Sequence, residues 1–275
     1  MKQAIRIGLI GGVVEVLLAL IGMIEAFSQR DIISHVISMG HTLSLLVVLF
    51  MSYLAAKGTT GNKPLQVLRN SALSGLIVGG MVALLVILGN YINLRKVLIN
   101  ASPLLYKLLT FDQGVIGSIP LLLGGGALGG LLAGLLHLSP TLTRRVLIVS
   151  LGSVVGAGVL QDLLRPTFAL WGPLSIINEW LFTANGLTLY GAIGLFILIA
   201  AFFTFWAHKG NAIRSGINRL SPKRRSALKS TTLLLFFIIL LALPQILGLF
   251  LSEVLTIVGL YVLLGLGLNI VVGFA

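Results

Sequence analysis

The 275-residue chain is 57% hydrophobic and 9% charged, with a mean hydropathy of +1.08. A water-soluble domain carries about 25% charged residues, so this composition excludes one and points to a polytopic membrane protein whose apolar surplus is dissolved in lipid. The formal charge of +12 falls mostly between apolar runs, where it reads as topology signal and headgroup contact rather than a nucleic-acid surface, and the lack of cysteine excludes disulfides and thiolate metal sites.

A crossing needs about 20 mostly apolar residues. Eight segments qualify: 5–27, 33–56, 71–92, 115–137, 145–164, 186–207, 231–251 and 254–275. The expected fold is therefore an all-α transmembrane bundle of about eight spans. The basic N-terminus (Lys2, Arg6) leads into an apolar run too long for a signal-peptide core, so it reads as a retained first span. Residues 93–114 predict a short interfacial amphipathic piece broken at Pro103. Residues 165–185 hold two prolines and two tryptophans, and predict a surface link or shallow re-entrant rather than a span. Residues 208–230 form a strongly basic loop. Placing the N-terminus inside puts fourteen of the 19 Lys and Arg on the cytoplasmic side, the seven of 208–230 among them. The positive-inside rule favours that orientation.

Small residues recur every four positions: Gly75 and Gly79 in the third span, Gly126, Gly130 and Gly134 in the fourth, Gly152 and Gly156 in the fifth. Such faces let helix backbones approach closely in lipid. No repeat of 20–50 residues is evident, so no inverted-repeat architecture is expected.

Two polar residues inside spans stand out. Glu15 shares a helical face with Gly8, Gly11, Gly12, Ala19 and Gly22, so it should face protein rather than lipid. An intramembrane carboxyl is by default a functional candidate, the alternative being a hydrogen-bonded acid that ties two helices together. Glu25 lies near the outer end and can snorkel. The second span places Ser34, Ser38, His41 and Ser52 on roughly one face. Glu15 and His41 should run on antiparallel neighbours, each ~12 Å from its own end at 1.5 Å per residue, leaving a depth gap of ~6 Å that long side chains or water can bridge. No phosphate-cradling G-x-x-x-x-G-K-[ST] loop, H-E-x-x-H pair or close pair of acids is present. Enzyme chemistry, metal and cofactor are not expected.

The last span, Val254–Ala275, carries Gly259, Gly265, Gly267, Gly273 and the single amide Asn269. An Asn in hydrocarbon needs a partner inside protein, so this helix should be enclosed by neighbours. From Thr231 onward, the runs LLLFFIILLALPQILG and GLYVLLGLGLNIVVGFA resemble the opening of the permease core of branched-chain amino acid ABC importers, most of all the M-type subunit, with related urea and amide importers sharing the pattern. The matching features are Leu243-Pro244, a short outer turn at Ser252-Glu253, Gly265 to Asn269, and Gly273-Phe274-Ala275. The resemblance covers 231–275 and divides the chain into a membrane extension, 1–230, and the start of a permease core.

That likeness implies a permease subunit without covalent chemistry of its own. A second permease subunit, two cytoplasmic ATPase subunits and an extracytoplasmic binding protein are the implied partners, in a prokaryotic inner membrane and without nucleic acid. The packing candidates along its path are Gly265, Gly267, Asn269 and Gly273. In this family the ATPase-docking helix and most of the path lie later, so the expectation is a truncated or split permease that does not transport alone. Two alternatives come from other classes: a membrane scaffold that assembles partner subunits, and an ion-coupled secondary transporter using Glu15 and His41.

Overall fold

The structure, a computed structural model, describes residues 1–59, 63–170, 175–218 and 222–273. It is all-α apart from one two-stranded ribbon. The helices in chain order are α1 (Lys2–Leu20), α2 (Met23–Phe27), α3 (Met39–Lys57), α4 (Pro64–Tyr91), α5 (Pro103–Leu109), α6 (Gly114–Leu138), α7 (Thr141–Val159), α8 (Gln161–Leu170), α9 (Ser175–Leu181), α10 (Leu189–Asn218) and α11 (Pro222–Gly273), with a 3-10 turn at Leu94–Lys96. Strands β1 (Asp31–Ile33) and β2 (Ile37–Ser38) pair antiparallel between α2 and α3. Among the described residues, seven helices are long and apolar enough to cross a membrane: α1, α3, α4, α6, α7, α10 and α11.

Two compact units divide the chain, one of 1–159 with 183–200, the other of 160–182 with 201–275. In the first unit α4 is the hub, packed on α1, α3 and α6. The α4–α6 contact is backbone on backbone. A Cβ added at Gly75 or Gly79 would collide with the carbonyl oxygens of Gly126 and Leu122, and one at Gly126 or Gly130 with those of Gly75 and Ser71. On the other side of α4, a Cβ at Gly8 of α1 would lie 2.9 Å from Ser74 O. By contrast, Gly152 and Gly156 of α7 face open space, a Cβ there meeting nothing within 4 Å. The four-residue glycine spacing in α7 therefore packs against nothing among the described residues. Its contact is lower, where Gly158 meets Ile32 of β1.

The two ends of this bundle are built differently. One gathers the N-terminus, the 58–59 turn and the start of α4, with Lys2 and Arg69 around it; there Asn70 donates to Thr59 Oγ1 at 3.1 Å. The other is closed by α2, the ribbon, α5 and residues 183–188. Its backbone bonds include Asp31 N to Asn185 O (3.1 Å) and Ser34 N to Leu187 O (2.9 Å). A small core of Ala19, Ile24, Val82, Val86, Leu105 and Leu109 sits beneath that cap. Glu25, which sequence placed at the water boundary without a role, accepts a 2.5 Å hydrogen bond from Ser102 Oγ, and Ser102 in turn caps α5 at Leu105 N (3.0 Å). Pro103 thus opens a helix, its missing N–H costing nothing at the first position.

In the second unit α8 packs against α9 and α11. Gln161–Leu170 and Ser175–Leu181 are two short helices, neither of them long enough to span. Two expectations fail here. Residues 208–218 and 222–230, read as a loop, are helical continuations of α10 and α11. The outer turn at Ser252-Glu253 does not form either: α11 runs through it for 52 residues, and Thr256 Oγ1 donates to Ser252 O at 2.7 Å in ordinary helical fashion. Neither Ser nor Glu breaks a helix, and no glycine or proline stands at that point to end it. At 1.5 Å per residue its rise totals about 78 Å, more than twice a ~30 Å hydrocarbon core.

The glycine contacts give a direct test. Gly75→Ala and Gly126→Ala should each destabilise the protein by roughly 1–3 kcal/mol, because the new Cβ meets backbone that cannot move aside. Gly156→Ala should be neutral or stabilising by up to about 1 kcal/mol, the ordinary helix-propensity gain. Thermal unfolding in detergent distinguishes the two, and equal midpoints would contradict the close α4–α6 contact.

Candidate functional site

A cavity of about 430 Å³ opens inside the first unit between α3 and α6. Its walls are apolar or glycine except at three side chains: Glu15 from α1, and His41 and Ser44 from α3.

Glu15 reaches the cavity because its neighbours on α1 are small. Ala4, Gly8, Gly11, Gly12 and Ala19 are buried with it, and that stripe lies against α3 and α4. The carboxyl is 1% exposed. It hydrogen-bonds with Ser44, while its Oε2 has no hydrogen-bond partner. An ionised carboxylate in apolar surroundings is expensive unless a cation, a proton or several donors answer it. Among the described residues lining the cavity there is no Lys or Arg.

His41 sits differently from the sequence expectation. The second span was to begin at residue 33, which would bury His41 about two turns deep. Residues 31–38 instead form the ribbon, with His35 in the left-handed region (φ 58°), and α3 starts at Met39. Ser34 is therefore not on the helix face that carries His41 and Ser52. Ser38 is the N-cap: its Oγ accepts from His41 N at 3.2 Å and lies 2.8 Å from His41 Nδ1. The other ring nitrogen, Nε2, is 3.3 Å from the carbonyl oxygen of Leu108. A carbonyl only accepts, so Nε2 carries the proton of the neutral ring and Nδ1 accepts from the Ser38 hydroxyl. Phe111 stacks on the ring, centroids 5.1 Å apart and planes 17° apart. Phe111 and Asp112 both have positive φ (52° and 60°), so the tight turn between α5 and α6 is what lays Phe111 over His41.

Glu15 and His41 thus line one cavity but hydrogen-bond to different groups. His41 is fully partnered within the cap, and Ser44, one turn on, is the group that answers Glu15. Sequence reading missed Ser44 and Phe111. The serine spacing from His41 (i, i+3) was a usable signal, since such residues share a helix face. Phe111 was not findable, because it reaches the site from a turn far along the chain.

Gly265, Gly267, Asn269 and Gly273 are not among the residues that line this cavity. Asn269 and Gly273 are exposed, and a Cβ at Gly259, Gly265, Gly267 or Gly273 meets nothing within 4 Å. None of the span Ser252–Asn269 is buried. Leu243 and Pro244 lie in α11, with side chains outside the described residues, as are Phe274 and Ala275. Near the cap, the Tyr106 ring fills the space at Gly89, its hydroxyl has no hydrogen-bond partner, and burial raises the phenol above its ordinary value. No protein-family model, curated protein or solved structure matches the chain.

Removing the cap hydroxyl with Ser38→Ala should cost about 1 kcal/mol, read as a lower midpoint in thermal unfolding. Tyr106→Phe removes a buried hydroxyl that bonds to nothing, so it should be neutral or stabilising at neutral pH. Because the folded phenol titrates above the unfolded one, the native protein should lose stability relative to Tyr106→Phe as pH climbs past the ordinary phenol value. A constant difference across alkaline pH would contradict the burial.

Proposed function

We propose that this chain is a membrane-embedded subunit of an ABC importer for branched-chain or other hydrophobic amino acids, or related amides such as urea, in the inner membrane of a prokaryote. Separate ATPase subunits hydrolyse ATP, a binding protein delivers substrate outside, and a second permease subunit completes the path.

One observation carries the reading. The span Ser252–Asn269 has no buried residue, although it presents glycines and an amide that are suited to helix contacts and ill suited to lipid. Such a face is made for neighbouring helices. The resemblance of residues 231–275 to an importer permease says which neighbours. Gly265, Gly267, Asn269 and Gly273 then form the contact, the glycines allowing close approach and Asn269 supplying a hydrogen bond.

A second reading, ion-coupled transport through Glu15, is favoured by its unpartnered Oε2 at the cavity. His41 is better suited to positioning than to proton relay there, since both ring nitrogens are engaged.

Reconstitution separates these. The chain co-expressed with ATPase, permease and binding-protein subunits should co-purify with them and take up leucine into proteoliposomes only with ATP and the binding protein. Gly267→Leu should abolish that co-purification while leaving the chain folded. Uptake that ignores ATP, and that both an uncoupler and Glu15→Gln abolish, would replace the importer reading with the second.

A further inference from the structure

The cavity between α3 and α6 has the chemistry of a binding site that neither the importer reading nor the C-terminal resemblance assigns. Its polar groups are few and sit at one place. Glu15 lines the cavity and is 1% exposed, and its Oε2 has no hydrogen-bond partner. Ser44 engages the carboxyl and His41 is already occupied by Ser38 and Leu108. What remains for a ligand is one carboxylate oxygen, with no positively charged side chain among the lining residues. A ligand anion would therefore find no counter-charge, and a cationic donor would find one.

The rest of the cavity selects for an apolar body. Val48, Val78, Val82 and Leu122 form its walls, and the rim residues Val36, Leu45, Phe111 and Leu121 are exposed apolar side chains. The rim faces the flank of two membrane-spanning helices, so a molecule reaching it arrives by way of the hydrocarbon or its boundary. The volume, about 430 Å³, is within the ~300–1,000 Å³ range of small-molecule sites.

We propose that this cavity binds an apolar amine, its ammonium group paired with Glu15 and its hydrocarbon body between α3 and α6. The amine is a free monoamine. An amino acid zwitterion would bury its own carboxylate beside Glu15 with no cation to meet it, and an ethanolamine lipid headgroup would bury its phosphate the same way. No residue of the C-terminal span lines this cavity.

Three probes sharing a phenylethyl skeleton test this by titration calorimetry on the full chain in detergent at neutral pH: 2-phenylethylammonium, neutral 2-phenylethanol and zwitterionic phenylalanine. The ammonium should bind saturably, and the alcohol and the amino acid should not. Glu15→Gln should weaken the ammonium on the order of tenfold or more, the scale for removing one partner of a buried charge pair. Gly125→Phe offers a second route should Glu15→Gln fold poorly. Gly125 lines the cavity where a Cβ meets nothing within 4 Å, so a ring there occupies the opening without disturbing the helix contact; it should also weaken the ammonium. Equal binding of the alcohol or of phenylalanine, unchanged affinity in Glu15→Gln, or no binding to the native chain would each overturn the proposal. Displacement of the ammonium by a few mole per cent phosphatidylethanolamine would assign the site to a lipid headgroup and overturn it as well.

Discussion

The first unit depends on one contact, the approach of α4 to α6 through glycines that leave no room for a Cβ. Inside a bilayer, apolar side chains gain nothing by moving from lipid to a neighbouring helix. Association there rests on close van der Waals packing, and backbone-to-backbone approach is its densest form. Gly75, Gly79, Gly126 and Gly130 provide that approach at successive turns. The same contact shapes the cavity, because Gly79 and Gly126 belong to its wall. Pulled together on one side by glycine, α4 and α6 leave space on the other, where α3 carries larger side chains. Closure at one end then comes from α5 and the turn at Phe111 and Asp112, so packing and cavity are two consequences of one helix crossing.

Much of this was legible in the sequence, for a definite physical reason. Twenty apolar residues and a glycine every fourth position are properties of one segment, and they were read where they stand: α1, α3, α4, α6, α7 and α10 are all found near their expected places. What the pattern does not contain is the identity of the partner. Gly75 and Gly126 look the same in sequence as Gly152 and Gly156, yet the first pair is in contact and the second faces open space. A small-residue face is a capacity for approach, and the neighbour that uses it is decided by the whole fold.

Boundaries failed more often than elements, also for identifiable reasons. Residues 33–38 are as apolar as a span, and hydropathy alone merged them with α3. Ser38 separates them, since its hydroxyl caps His41 N and completes a helix start that a β-ribbon precedes. The boundary matters for the site: with α3 starting at Met39, His41 lies in its first turn and Ser44 is one turn deeper. At Ser252-Glu253 the opposite happened. Two polar residues between apolar runs read as a turn, while neither has a backbone preference strong enough to end a helix, and α11 continues.

Two features among the described residues, the Glu15 carboxyl and the small-residue face of α11, ask for answers of different size. Glu15 is enclosed by side chains of the first unit, and the cavity it lines has room for a small molecule but not for a helix, whose diameter with side chains is about 10 Å or more. The glycine and amide face of Ser252–Asn269 is open along five turns, far more than a small molecule covers. A charged group in a narrow apolar cavity is answered by a proton or a cation; a long ridge of small residues in lipid is answered by another helix. The two features therefore differ in kind: the first suits a small cationic group and the second suits a helix, and no residue of the C-terminal span is among those lining the cavity.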